Sequence, residues 1–530
     1  MQSRIENIKW HLQQMPMLRA LLPIVVGVII ADRVTFPLWS VAVGFVLSLV
    51  VAWWWRACNV ANLYLFVAFM LLGVMAVELR RGSDHSSVEH ELFGKGALAE
   101  IAIERVTSQH EGVALCDARL VACRAIDASE GSSAEPQIVN WPVRVVADES
   151  IGVQMGSRLL AHAHIRPFDK NSENRYEAYM ARRGVVGQLW LGSADVMDHR
   201  LSDKRVASWL HNKALHRIDS LRLSEENRAV VEAMTIGERA SMSSPLRNLY
   251  ARSGSAHLLA VSGLHVGFVF AIINLLLMSL ALFRHGQLIR ALLAVVAIWI
   301  YAAVAGASPS VVRAAVMFSI LQLAFALSAR TPALNSLAFT ACVMIVWDAS
   351  LLYDAGFLLS FSAVAGIAVW GVELASLRVV THRPFERKLQ YKHWLRDGVQ
   401  RMTISVWHAI AMSVAATLAT IPLTAYMFGV VSLWSVVVGP LMILLGMLIV
   451  SAAMLWVLLP VGFFMGVMSW ALEVLTGAMN GIAAWCSQQE FLIWEGYIGG
   501  WLCVGCYLAF AIITLWLWSR PRGDGRRRRY

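Results

Sequence analysis

Residues 433–459 read LWSVVVGPLMILLGMLIVSAAMLWVLL. No charged side chain interrupts them, and about 20 consecutive apolar residues are enough to cross the hydrocarbon core of a bilayer. Comparable runs lie on both sides of this one. After it come 462–486 and 499–518; before it come 256–282, 288–305, 309–329, 333–347, 354–377 and 403–428. Three more, 17–30, 38–55 and 62–77, stand near the N-terminus. The composition agrees: of 530 residues, 58% are hydrophobic and 15% charged, whereas a soluble domain is about 25% charged. An ordinary soluble enzyme, a disordered chain, collagen and a coiled coil are excluded. The expected fold class is a polytopic α-helical membrane protein of about twelve spans.

One interval departs from this pattern. In residues 80–222, apolar and polar residues alternate over Ala97–Val106, Gly112–Cys123, Val139–Ala147, Gly156–His164 and Gly184–Leu191. Period-two alternation between Gly, Asn and Ser clusters reads as strands. Five strands suit a small barrel or a compact antiparallel sheet. Next, 223–252 sets Leu223, Val230, Met234 and Met242 against Glu225, Glu226, Arg228, Glu232, Glu238 and Arg239, an amphipathic pattern expected to lie along the membrane surface. The organisation is therefore 1–79, N-terminal membrane helices; 80–222, an inserted small β-rich domain; 223–252, an interfacial segment; 253–519, the main membrane domain; and 520–530, a basic tail.

The net charge of +10 falls outside the β-rich interval, where acids and bases nearly balance. A basic membrane part suits anionic lipid headgroups first; a polyanion in transit is the second reading. Arg378, Arg383, Arg387, Lys388, Lys392, Arg396 and Arg401 crowd one gap, and Arg526 to Arg529 fill the tail. Under the positive-inside rule both face the cytoplasm. The parity then places the N- and C-termini inside and residues 80–222 outside; Arg33, Arg80 and Arg81 go against the rule. The seven cysteines form no paired C-x-x-C pattern. Cys116 and Cys123, in the exterior interval, are either a disulfide or two buried free thiols.

Several polar groups stand inside the apolar runs. Ser253–Gly267 reads SGSAHLLAVSGLHVG and holds His257, Ser262 and His265; on one continuous helix the two histidines lie about 80° apart and reach one lumen. Gly306–Ala314 reads GASPSVVRA, with Pro309 at a helix start and Ser310 one turn before Arg313. Asp354–Gly366 reads DAGFLLSFSAVAG; Asp354 is placed to cap a helix, and Ser360 lies on a seam of small residues. Thr417–Gly429 reads TLATIPLTAYMFG, where Pro422 removes a helical hydrogen bond and Thr417, Thr420 and Thr424 are placed to satisfy the freed carbonyls. Polar groups at membrane depth are costly and tend to mark a pathway; they also serve as plain helix–helix contacts, and Arg313 as an interfacial anchor. The expected channel-lining or bracing set is His257, Ser262, His265, Ser310, Arg313, Asp354, Ser360, Thr420 and Pro422. No metal site is expected, since the histidines have no acidic or thiolate partner nearby.

These four segments together, with the lead-in from Thr235 to Leu259, closely resemble the competence domain of the ComEC/Rec2 family. RYEAYMARRGVVGQLWL, Arg175 to Leu191, is similar to the usual end of that family's exterior domain, which has an OB-like fold. The resemblance spans about residues 20–500. It implies an inner-membrane channel that brings single-stranded DNA into naturally transformable bacteria. Many members continue into a metallo-β-lactamase-like domain with a His-x-His-x-Asp-His motif. That motif is absent here, so a form lacking the domain is expected, with no enzyme activity, no catalytic residue and no cofactor. A separate nuclease would degrade the second strand.

The partners the resemblance implies are single-stranded DNA, membrane lipids, a membrane DNA receptor and single-strand-binding proteins, with a homodimer left open. A cytoplasmic DNA-translocating ATPase is implied too, because the sequence contains no nucleotide-binding motif. The residues alone leave two alternatives: a small-solute transporter, or a membrane-embedded enzyme acting through His257 and His265. Trp141, Phe168, Tyr176, Tyr179 and Trp190, with Arg182 and Arg183, are either core residues or a nucleic-acid-stacking surface.

Overall fold

The computed structural model describes residues 10, 13–56, 60–81, 97–110, 112–125, 137–169, 172, 174–201, 206–283, 285–326, 332–377, 392–458 and 462–519. The basic gap up to 391 and the basic tail lie outside these residues.

Six strands form the inserted domain: β1 (Ala97–His110), β2 (Val113–Ala125), β3 (Gln137–Asp148), β4 (Ser157–Pro167), β5 (Gly187–Leu191) and β6 (Val196–Leu201). Neighbours pair in the order β1-β2-β3-β5-β4, and β4 pairs back onto β1. Five strands therefore close on themselves, as in an OB-like barrel. The sheet is mixed: Arg144 to Ala147 of β3 run parallel to Gln188 to Leu191 of β5, and the other ladders of the ring are antiparallel. The alternation seen in the sequence sorts inward from outward. Ile101, Leu120, Trp141, Val145, Leu159 and Leu189 fill the interior, while β4 alternates buried Leu159, Ala161, Ala163 and Ile165 with outward His162, His164 and Arg166. The sixth strand was not expected, because VMDHRL does not alternate apolar with polar residues; it pairs along the outer edge of β4, from Ser157↔Leu201 to Ala161↔Val196. One helix, α4 (Arg175–Arg182), joins β4 to β5.

Three helices precede the barrel: α1 (Pro16–Arg33), α2 (Leu38–Trp54) and α3 (Val60–Arg81). A side chain at Gly27 would run into the carbonyl of Met70, and one at Gly73 into the carbonyl of Ile24. The two glycines bring α1 and α3 to backbone contact, the way small residues act at membrane helix interfaces.

After the barrel come α5 (Val206–Asp219), α6 (Glu225–Thr235), α7 (Ser244–Arg252), α8 (Gly263–Leu276), α9 (Gly286–Val304), α10 (Pro309–Ala326), α11 (Ala333–Trp347), α12 (Ala355–Gly366), α13 (Lys392–Met427), α14 (Gly439–Leu458), α15 (Met465–Ser487) and α16 (Gly500–Ser519). Two short strands, Val430–Ser432 and Ile493–Glu495, pair between the last of these helices. Helix α11 packs on α1 through Ala20, Ile24, Ala341 and Ile345, which ties the N-terminal helices to the main membrane domain. Among the described residues, seven helices are long and apolar enough to cross a membrane: α3, α9, α12 with its extension to Ala375, the part of α13 from Met402, α14, α15 with the turn before it, and α16. The protein is a multi-pass membrane protein. Leu38–Trp54, Gly263–Leu276, Pro309–Leu323 and Ala333–Trp347 are apolar but shorter; the 14 residues of α8 reach only about 21 Å of a core about 30 Å thick.

Three expectations are corrected here. The run 256–282 is not one helix: a 3-10 turn at Ala256–Leu259 is followed by an extended break, then α8, then a second 3-10 turn at Met278–Leu282. Segment 223–252 is not one surface helix but two short ones. The first, α6, buries Ala229 to Thr235 against Met442 and Ile449 of α14 and Leu472 and Met479 of α15. And α13 runs unbroken through Pro422. Thr420 donates to the carbonyls of Ala416 and Thr417, and Thr424 to that of Thr420; none of these serves Leu418, whose carbonyl is the one a proline at 422 leaves free.

Candidate functional site

The first turn of α8 is the centre of the polar residues. Ser262 is its N-cap: the hydroxyl accepts from the backbone N–H of His265 at 3.4 Å, and the Ser262 backbone N–H donates to His265 Nδ1 at 3.3 Å. This is a capping box with histidine in the usual place of Glu or Gln. Because Nδ1 accepts, the neutral ring carries its proton on Nε2. That Nε2 is buried and has no partner, and His265 as a whole is 1% exposed. His257 lies in the preceding 3-10 turn. Its side chain is exposed.

Arg313 comes from α10 and is 5% exposed. Its Nη1 donates to the Ser360 carbonyl of α12 at 3.1 Å, and the guanidinium lies 5.8 Å from the Phe361 ring centroid. Nη2 occupies the space a side chain at Gly263 would need. Nε is buried without a partner. Among the described residues no carboxylate pairs with Arg313. A buried charge without a counter-charge is costly, and this one is held among α8, α10 and α12. Ser310 is half-buried on the first turn of α10.

The structure thus joins Ser262, His265, Arg313 and Ser360 around α8, with His257 beside them; from Ser360 it is the main chain, not the hydroxyl, that takes part. Asp354 lies elsewhere, at the start of α12. It caps that helix, accepting from Phe357 N–H at 2.8 Å, and pairs with Arg183 at 3.2 Å. Tyr179 Oη stands 3.5 Å from the same carboxylate; burial, and then the Asp354 charge, push the Tyr179 phenol above its ordinary pKa. Thr420 and Pro422 lie on α13, where the Thr420 hydroxyl bonds within its own helix. No group of three or more metal-ligating side chains occurs among the described residues.

Asp354 therefore fastens the barrel to the membrane helices, and other links of this kind were not read from the sequence. Arg80 pairs with Asp348, and its second nitrogen donates to the Arg183 carbonyl at 3.3 Å. Arg105 of β1 donates to the Gly306 carbonyl. His211 of α5 contacts the Val304 carbonyl at 2.7 Å and Glu238 at 3.4 Å. A further polar knot was missed within the helices: Arg290 and Gln322 both donate to Asn274 Oδ1, at 3.1–3.2 Å. The signal was thin, since isolated Asn, Gln and Arg residues in apolar runs do not reveal their partners.

The two tryptophans of the barrel divide between core and surface, while Phe168 and Tyr179 are half-buried. Trp141 is core, at 2% exposed, and Trp190 is on the surface, at 62%. Trp190 lies opposite His164, and Gln188 opposite Arg166, so the outer β4–β5 face carries a ring beside exposed His164 and Arg166. Arg183 belongs to the Asp354 pair instead. Cys116 and Cys123 are free, which corrects the disulfide alternative. They sit seven positions apart on β2, roughly 20 Å in an extended strand, whereas a bridge needs Cα atoms within about 7 Å. Burial pushes Cys116 up to about 12 and Cys123 to about 11.

A family model described as "Competence protein" matches residues 234–520, more than half of the chain and all of the α8 corner. "ComE operon protein 3" of Bacillus subtilis (strain 168) is 31% identical over 140 residues, covering 26% of this chain and 18% of that protein. An "Uncharacterized protein" of Aquifex aeolicus (strain VF5) is 30% identical over 195 residues, covering 36% of this chain and 44% of that one. In both cases the match spans less than half of the curated relative. No solved structure matches.

Proposed function

The chain belongs to the competence protein family, and on that premise we propose that it conducts single-stranded DNA across the bacterial cytoplasmic membrane during natural transformation. The observation that carries this reading is Arg313: a buried guanidinium with no counter-charge among the described residues, set against the first turn of α8. A polyanion has to meet cationic and N–H donors along its way, and donors without acceptors of their own are the groups it can use.

In this proposal the barrel, residues 80–222, faces the exterior, and both termini are cytoplasmic. The β4–β5 face, with Trp190, His164 and Arg166, offers the stacking ring and cations that single strands use. Asp354, with Arg183, braces the barrel over the helices rather than touching DNA. The protein conducts and does not cleave. A membrane DNA receptor, a cytoplasmic DNA-translocating ATPase, single-strand-binding proteins and a separate nuclease act with it.

The test is uptake of labelled DNA by a strain deleted for this chain, complemented with the wild type or with Arg313→Ala. Loss on deletion, rescue by the wild type, and at least a tenfold deficit with Arg313→Ala at normal protein level are expected. Undiminished uptake in the deletion strain would refute the proposal.

A further inference from the structure

We infer that the first turn of α8, with Arg313, is a site for a phosphodiester oxyanion, so that the passage reads the backbone of a strand and not its bases. The inference deepens the DNA-channel reading and rests on it. A helix start presents N–H groups that have no partner within the helix, together with the positive end of the helix dipole. In α8 the Ser262 hydroxyl takes the N–H of His265, and the Ser262 carbonyl takes that of Val266; the N–H groups of Gly263 and Leu264 come before both. Arg313 lies against this turn, because Gly263 has no side chain to hold it off. It is 5% exposed, and its Nε has no acceptor.

On another side of the same turn, His265 Nε2 is a second buried donor without an acceptor; its tautomer is set by the Ser262 N–H at Nδ1. The unmet groups are thus all donors. No acidic side chain among the described residues pairs with Arg313, so an arriving anion meets no repulsion there. A donor set of helix N–H groups and one guanidinium fork fits tetrahedral phosphate oxygens. It gives no shape or hydrogen-bond pattern by which bases could be told apart. Arg313 also holds the Ser360 carbonyl, which keeps the fork in place when a phosphate leaves. A single such site grips one phosphate at a time, as movement of a strand requires.

Two sources could present this chemistry, a DNA strand and a phospholipid headgroup. The full chain in detergent is titrated with a fluorescent oligo-dT, with the same oligomer bearing a neutral methylphosphonate backbone, and with phosphatidylglycerol micelles as competitor. Wild type, Arg313→Gln and Arg313→Lys are compared across salt concentrations. The expected result is at least tenfold weaker binding of the methylphosphonate strand. The salt slope should fall by about 0.7 in Arg313→Gln, the amount for one lost phosphate contact on a single strand. Arg313→Lys, which keeps the charge without the fork, should keep the slope and bind several-fold more weakly.

A brace without a phosphate contact would lower affinity but leave the slope unchanged, and that result overturns the inference. So does equal binding of the neutral strand. If phosphatidylglycerol binding depends on Arg313 while oligo-dT binding does not, the site belongs to lipid and the inference falls. None of these outcomes touches the channel reading, which is decided by uptake in the deletion strain.

Discussion

Asp354→Ala should release the barrel from the membrane helices. The change removes two interactions at once. The carboxylate caps α12 through Phe357 N–H, and loss of such a cap costs about 1 kcal/mol. It also pairs with Arg183 at 3.2 Å, where the two side chains are 7% and 34% exposed. A fully buried pair costs about 3–5 kcal/mol to break from one side and an exposed one at most about 1 kcal/mol. Arg183 is a third exposed, so about 2 kcal/mol is a fair middle value, and the whole change comes to about 3 kcal/mol. The readout is proteolysis of the full chain in nanodiscs under native conditions, which follows the population of the opened state when reclosing is fast. Asp354→Ala should raise cleavage at the barrel junction on the order of 100-fold, the factor that about 3 kcal/mol gives at about 1.4 kcal/mol per tenfold. Asp354→Asn keeps the capping oxygen and loses only the charge. A cycle of Asp354→Asn with Arg183→Ala isolates the pair, with an expected coupling of about 1 kcal/mol. Purely additive effects in that cycle would refute the latch.

The tight α1–α3 crossing predicts that Gly73→Leu, which drives a side chain into the Ile24 carbonyl, destabilises the N-terminal helices by about 1–3 kcal/mol, read as a lowered melting temperature. Ser193→Cys, exposed on the barrel, should react with a membrane-impermeant maleimide from outside intact cells, whereas Cys116 and Cys123 stay unreactive until the protein is unfolded, because burial disfavours their thiolates. Labelling of Ser193→Cys only after lysis would reverse the topology. Glu232, packed with Ser241, Arg228, Asp219 and Glu238, is pushed by burial from 4.5 up to about 7. The folded chain then holds a proton that the unfolded chain has released between pH 4.5 and 7, so stability falls as pH rises through that window. Glu232→Gln should therefore raise the melting temperature at pH 8 and leave it unchanged at pH 4; equal shifts at both would contradict this.

Much of the architecture could be read from residue order, because apolar length and period-two alternation are local signals. The barrel strands show this: inward Leu159, Ala161 and Ala163 alternate with outward residues. The sixth strand did not show, since an edge strand without alternation is defined by its partner and not by its own pattern. The helix break before Gly263 was also hidden. Ser262 followed three residues later by His265 is a capping pair, but histidine is an uncommon third-position residue, and the surrounding apolar run masked the signal. Arg313 and Ser262 were recognisable as polar residues at depth. That Gly263 lets the arginine reach the helix start depends on two distant segments meeting, and no spacing rule encodes that. Asp354 was legible as a cap; its partner Arg183 lies far away in sequence.

The most direct test is transport by the purified chain. Liposomes containing it, loaded with a single-strand-binding protein to trap what enters, are exposed to fluorescent single-stranded DNA or, in parallel, to fluorescent duplex, and then to external nuclease. The account predicts nuclease-protected single strands inside, with little duplex, and a marked loss with Arg313→Gln. Protection no greater than in protein-free liposomes, from a preparation that still binds oligo-dT, would contradict it.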